Sequence, residues 1–452
     1  MSDGVAVPRR PAGGARLGAH VGARLGARLG ARTGRAVVLA TFASLAAACG
    51  DGASGPSLPG PAAKLTVSSG DDQAALAGTA LALPVRVKVA DAKGKARPGD
   101  TVTFAVAKGG GSLTGTVTVV ADATGNATAP SWTLGKNGGV QQLTATSGAL
   151  SVPIDARIQS AYKIDLRYAG TPPAGIIADA FSAAVDRITA MIVGDVSDVP
   201  IGGGGSPFQV SQCNATFTGV NPLNETVDDV LIFAKVEPID GVGQVLGSAG
   251  PCLTRTSSGL TALGVMRFDS ADLADLAAKG RLADVVLHEM LHVVGFGTLW
   301  KSRGLLADTG TVNVRVTGAL AAASCVNDHA GGAVCAGAVP AENCLDLPSS
   351  VTCGTGTINA HWKESTFRSE LMTGYAGTSN PLGRMSIQAL ADLGYTVHLG
   401  PADTYAVPAA LMGSGSQLRA GDDGPPLLLA EPMWPRFSVD ARGQVRPLVA
   451  PR

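Results

Sequence analysis

The segment His288-Glu289-Met290-Leu291-His292 interrupts an otherwise apolar stretch and constrains this chain more than any other feature. Leu282, Val285, Val286 and Val293 recur at helical spacing around it, so residues 281–294 are expected to form a helix with a buried face. Two imidazoles and a carboxylate are costly to bury there without a partner. Positions i and i+4 share a helix face, so His288 and His292 can reach a single metal ion, and the residue types point to one catalytic Zn2+. Zinc lowers the pKa of a bound water to about 7, and Glu289, one step from His288, is placed to take its proton as general base. The bland alternative, two core histidines and a surface carboxylate, leaves the burial cost unanswered. Gly295 can end the helix with a positive φ and turn the chain beneath the metal.

A site of this kind needs a third protein ligand. The compact pattern HExxHxxGxxH would put a histidine where Thr298 stands. His20 lies near the N-terminus, which leaves His329, His361 and His398, while the carboxylates Asp308 and Glu342 sit in loop-like sequence and are poor candidates. His361 opens HWKESTFRSELMTGY, with Met372 eleven residues on. Together with LGVMRFDSADL, HEMLHVVGFGTLW and RMSIQALADLGYTV, these segments resemble the leishmanolysin family of metzincins over roughly residues 162–397. In that family a long insertion separates the glycine from the third histidine, and a methionine turn follows. The resemblance implies an α+β zinc endopeptidase with His288, His292 and His361 as metal ligands, Glu289 as general base and Met372 as the apolar floor beneath the metal. His329, beside Asp328, is the runner-up ligand, and His398 is expected to have no role. Protein or peptide substrates follow, and an extended substrate would align on an edge strand, for which residues 263–268 are the candidate.

The flanking sequence suggests a multidomain, exported chain. Residues 1–48 hold seven arginines, one aspartate and an apolar run of 13 residues, Ala36 to Ala48, too short to span a bilayer and ordered like a secretory leader. The ending Leu45-Ala-Ala-Ala-Cys49 resembles a bacterial lipobox with its leucine one place early. The implied anchor is a lipid on Cys49, and simple cleavage with secretion is the alternative. Residues 49–62 read as a Gly/Pro/Ser linker. From 63 to 157 short alternating segments separated by Gly-rich turns suggest an all-β sandwich, and VKVADAKGKARPGDTVTFAV, DATGNATAPSWTLG and QQLTATSG resemble bacterial Ig-like domains of the invasin type. Such a module is a spacer or binds a surface partner. Residues 158–400 make the peptidase body, with a helix expected over 178–193 and another over 271–279 capped by Ser270. Residues 401–452 are a Pro/Gly-rich tail.

Seven cysteines in an exported chain divide into Cys49 and six disulfide candidates. Cys213 and Cys252 are expected to pair, being remote from the rest. Cys325, Cys335, Cys344 and Cys353 allow three connectivities and would staple the insertion from Thr298 to Ala360, which is otherwise too long for a structureless loop. With every cysteine so used, a cysteine blocking the zinc is not expected. The 35 basic and 35 acidic residues balance over the whole chain, but residues 49–452 carry 28 and 34, and no basic face suited to nucleic acid follows the leader. Two rival functions remain, a surface adhesin with a vestigial peptidase scaffold and hydrolysis of a non-peptide bond.

Overall fold

Alternation of small apolar and polar residues produces ten strands between Ala62 and Ile158: β1 (Ala62–Ser69), β2 (Gln73–Ala75), β3 (Arg86–Asp91), β4 (Thr101–Lys108), β5 (Ser112–Thr114), β6 (Thr118–Val120), β7 (Asn126–Thr128), β8 (Ser131–Thr133), β9 (Val140–Ser147) and β10 (Leu150–Ile158). In this computed structural model they form sheets of order β1-β3-β7 and β2-β10-β9-β4-β6, with β5 and β8 paired separately. Side chains alternate across each strand, so one face of each sheet is apolar. Val87, Val89, Phe104, Leu143 and Ile154 from those faces are fully buried in one core. The described residues are 58–136, 138–203, 206–243, 245–347, 353–354, 356–408, 427–428 and 432–448. The expected leader, Cys49 and most of the linker lie outside them.

The second body is organised by a mixed sheet. Its strands are β11 (Ile164–Tyr168), β14 (Val230–Glu237), β16 (Thr261–Asp269), β15 (Gly247–Arg255), β22 (Phe437–Val439) and β23 (Val445–Pro447), in that spatial order. The intervening β12 (Val199–Ile201) and β13 (Glu225–Val227) pair with each other. Strands β11, β14 and β16 run parallel, while β15 is antiparallel to β16. Val230, Ile232 and Ala234 of β14 face one apolar core, and Leu231 and Phe233 face another. Burial on both faces explains why VLIFAKV reads as a continuous apolar run. Helices α1 (Ile176–Met191) and α3 (Leu282–Val294) fill the first core, next to the shorter α2 (Leu273–Ala278).

Two expectations are corrected here. Residues 263–268 belong to β16, which is bonded to β14 on one side and β15 on the other, so they cannot supply an edge. Helix α2 starts later than Ser270 suggested: Asp272 is its N-cap residue, without a side-chain cap, and the Ala271 N–H is taken instead by Asp269 Oδ1 at 2.9 Å.

The long insertion is structured. It holds β17 (Leu306–Ala307), β18 (Arg315–Val316), β19 (Val339–Pro340) and α4 (Ala319–Asp328). Cys325 pairs with Cys335 and Cys344 with Cys353, which resolves the open connectivity, and Cys213 pairs with Cys252 as expected. After it come α5 (Glu364–Phe367), β20 (Tyr375–Ala376), α6 (Arg384–Leu393) and β21 (Leu427–Leu428), which pairs with β20. The two bodies also touch. Gly138 N donates to Asp186 O at 2.9 Å, and His398 Nε2 lies 2.5 Å from the Ala77 carbonyl, so His398 joins the sandwich to the second body.

Candidate metal centre

From Val285 onward helix α3 is buried on every side, so of its polar side chains only Asp284 in the first turn reaches the surface, while His288, Glu289 and His292 have no route to solvent. His288, Glu289 and His292 are completely buried. The helix ends at Gly295, whose φ of 116° is a left-handed conformation, and its N–H closes on the carbonyls of His292 and Leu291. Thr298, at the position where the compact spacing would need a histidine, donates its hydroxyl to the His292 carbonyl at 2.7 Å. It completes the cap in place of a ligand.

The turn after Gly295 brings the Phe296 carbonyl within 2.9 Å of His292 Nδ1. His288 Nδ1 lies 2.8 Å from the Leu371 carbonyl, and His361 Nδ1 lies 3.1 Å from the Thr357 carbonyl. A carbonyl only accepts, so each Nδ1 carries the proton and each neutral ring turns an Nε2 lone pair inward. The three Nε2 atoms form a triangle with sides of 3.0, 3.0 and 3.1 Å. Burial lowers the proton affinity of all three rings, His361 to a pKa of about 4, and the neighbouring imidazoles add to this for His288 and His292. Three lone pairs converge with no proton between them. A cation is what that geometry accommodates, and an all-imidazole set suits zinc.

Glu289, next to His288 on α3, is fully buried, and neither carboxylate oxygen has a hydrogen-bond partner. Desolvation pushes its pKa well above the usual carboxylate range. An added Cβ on Gly247, the first residue of β15, would lie 3.2 Å from its carboxyl carbon, so that strand starts against the acid.

Met372 follows Leu371 and is buried in the α3 core. The Met372 N–H donates to Glu370 Oε2 at 2.7 Å, and its carbonyl accepts the Trp362 N–H at 2.9 Å. Glu370 Oε1 also accepts from Gly383 N at 2.8 Å and from Ser386 Oγ at 2.5 Å. One buried carboxylate thereby joins the methionine turn to the start of α6. In the sequence Glu370 stands two residues before Met372, and nothing local signals its distant partners. His329, the runner-up ligand, lies elsewhere: its Nδ1 faces the Tyr405 carbonyl at 2.9 Å and its Nε2 accepts the Met385 N–H at 3.2 Å. Glu342 is committed to the amides of Asn343, Cys344 and Glu364, and Asp308 is exposed.

Residues 206–407 match the family model of leishmanolysin, peptidase family M8. Residues 206–407 are similar to leishmanolysin. The matched leishmanolysin region contains His288, Glu289, His292, His361, Met372 and all three disulfides, whereas β11, α1 and the tail after residue 407 fall outside it. Among solved structures, the D00-D0 domain of intimin is similar at 17% identity over 21% of this chain and 44% of that one, with a TM-score of 0.17. Invasin, described as a bacterial integrin-binding protein, is similar at 29% identity over 21% of this chain and 19% of that one, with a TM-score of 0.18. Domains 4 and 5 of the S-layer protein SbsC are similar at 15% identity over 22% of this chain and 51% of that one, with a TM-score of 0.17. The chain thus spans about half or less of each of these structures. Nothing among curated proteins matches it.

Proposed function

We propose that this chain is a zinc-dependent endopeptidase in which His288, His292 and His361 hold one zinc ion and Glu289 is the general base. The observation that carries the reading is the pairing of three convergent, proton-free Nε2 atoms with a buried carboxylate that has no partner. The leishmanolysin match supports peptide bonds as the substrate class. Zinc at this triad supplies Lewis acidity toward a carbonyl and a water. The protein does the rest. The carbonyls of Leu371, Phe296 and Thr357 hold each ring in the tautomer that leaves Nε2 free. Glu289, made basic by burial, takes the proton of the attacking water on a carboxylate oxygen and returns it to the departing amine. Enclosure by apolar side chains removes competing water and strengthens these interactions.

The adhesin reading gains nothing from the site, because a scaffold without activity needs neither the complete triad nor the carboxylate. Export, with a lipid on Cys49 or release after cleavage, is part of the proposal and is supported by the charge order of the leader and the residues around Cys49. No helix among the described residues is long and apolar enough to cross a membrane. The test is cleavage of casein by the purified chain, inhibited by a zinc chelator and reduced about 10²- to 10⁴-fold in Glu289→Ala with zinc retained. Full activity in that variant removes the mechanism.

A further inference from the structure

An extended peptide adds to a sheet through backbone hydrogen bonds along a free edge. In this sheet β16 is internal, so the strand that starts against Glu289 and could offer such an edge is β15. That edge is occupied by the chain itself. Met433 N donates to Ala249 O at 2.6 Å, Arg436 N donates to Cys252 O at 3.1 Å, and Leu253, Thr254 and Arg255 then pair in parallel with Phe437, Ser438 and Val439. A few residues earlier, Leu427 and Leu428 pair antiparallel with Ala376 and Tyr375, which follow the turn that carries Met372.

The same short segment is therefore bonded to two elements flanking the centre, one adjoining Glu289 and the other leaving the methionine turn. Four residue steps separate Leu428 from Pro432, a reach of at most about 14 Å, so the two pairing sites lie close together. Side-chain contacts seat the segment further: Arg436 donates to Cys213 O at 3.1 Å, and Asn214 Nδ2 lies 3.6 Å from Met433 Sδ. The sequence Glu431-Pro432-Met433-Trp434-Pro435 suits an occupant, since prolines 432 and 435 have no N–H with which to extend the sheet outward. At the centre itself, Glu289 and all three site histidines have no exposed surface. A substrate cannot approach a carboxylate enclosed in this way. This segment lies beyond residue 407, outside the leishmanolysin match.

We propose that residues 432–439, bonded along β15, occupy the strand position that an extended peptide substrate would take, so that the chain as folded is held closed by its own C-terminal segment. The proposal rests on the peptidase reading above for the identity of the competitor. Displacing the segment opens the centre, and the apparent affinity for substrate is lowered by the fraction of chains in the closed state.

The test compares the full-length zinc-loaded chain with Met433→Pro/Arg436→Pro, which removes the two N–H groups donated to β15. Two quantities are read, the rate at which a chelator strips zinc and the hydrolysis of an internally quenched peptide. Both are expected to rise at least tenfold, and a synthetic peptide of residues 427–439 is expected to return the stripping rate toward that of the parent. A stripping rate equal to the parent's, or a fast rate that the peptide does not slow, overturns the proposal; the second result also covers a variant that merely unfolds. Faster, peptide-reversible stripping with no hydrolysis by either form upholds the closed segment and removes the peptidase reading. Equal hydrolysis with equal stripping does the reverse.

Discussion

His288 and Leu371 are 83 residues apart in sequence, and the 2.8 Å contact from His288 Nδ1 to the Leu371 carbonyl ties α3 to the turn that carries Met372. The same contact selects the tautomer in which His288 can act as a ligand. His361 is held in the equivalent way by Thr357, whereas both ring nitrogens of His329 are committed to Tyr405 and Met385. His361→Ala is therefore expected to lower bound zinc from about one ion per chain to nearly none under dialysis, and His329→Ala to leave it bound. Metal analysis of the two purified variants decides this, and the reverse result would reassign the third ligand.

Gly295 should not tolerate a side chain. Its φ of 116° disfavours other residues, and an added Cβ would lie 2.5 Å from Leu299 Cδ1 and 3.2 Å from Leu393 Cδ1. Gly295→Ala is expected to destabilise the chain by about 1–3 kcal/mol. It should also weaken zinc binding, because the turn it distorts carries the Phe296 carbonyl that orients His292. Denaturant titration and competition with a metal indicator measure the two effects.

The disulfides should differ in their contribution. Cys213–Cys252 closes a sequence separation of 39 residues, and Cys325–Cys335 closes one of 10. In the chain-entropy model these correspond to about 4 and about 3 kcal/mol. Paired serine substitutions are expected to lower stability in that order, read as the shift of the urea midpoint at constant slope.

Glu370 imposes a pH dependence on stability. Burial outweighs its hydrogen bonds from Ser386, Met372 and Gly383 and raises its pKa from 4.5 to about 7. Between those values the folded chain holds a proton that the unfolded chain has lost, so stability falls as pH rises through this window and levels off above it. The contribution is on the order of 3 kcal/mol. Comparing urea unfolding of the parent and Glu370→Gln at pH 5 and pH 8 isolates it, and a variant with the parent's full pH dependence would show that Glu370 is not the source.

Elements whose signal is local were legible in the sequence. The helix expected over 281–294 is α3 with its first residue moved to Leu282. The helix expected over 178–193 is α1, Ile176–Met191. Misreadings arose where a neighbour in space decides. An apolar run such as residues 263–268 is equally compatible with an edge or a central strand until its partners are known, and the structure places β14 and β15 on either side of it. Ser270 is a good capping residue, but Asp269 already takes the amides of Asp240, Gly241 and Ala271, and the helix begins after that turn.

By itself the sequence determined which polar residues stand together on α3. A four-residue spacing on a helix places the two imidazoles on one face because the helical repeat is a local property of the backbone. A glycine three residues beyond His292 marks the end of that helix for the same kind of reason. Only the tertiary structure decided the rest: that His361 and not His329 completes the triad, that Glu370 joins the methionine turn to α6, and that the C-terminal segment lies along β15. Each of these joins residues far apart in the chain and depends on backbone carbonyls or amides, which almost every residue carries, so residue type alone does not announce the partner.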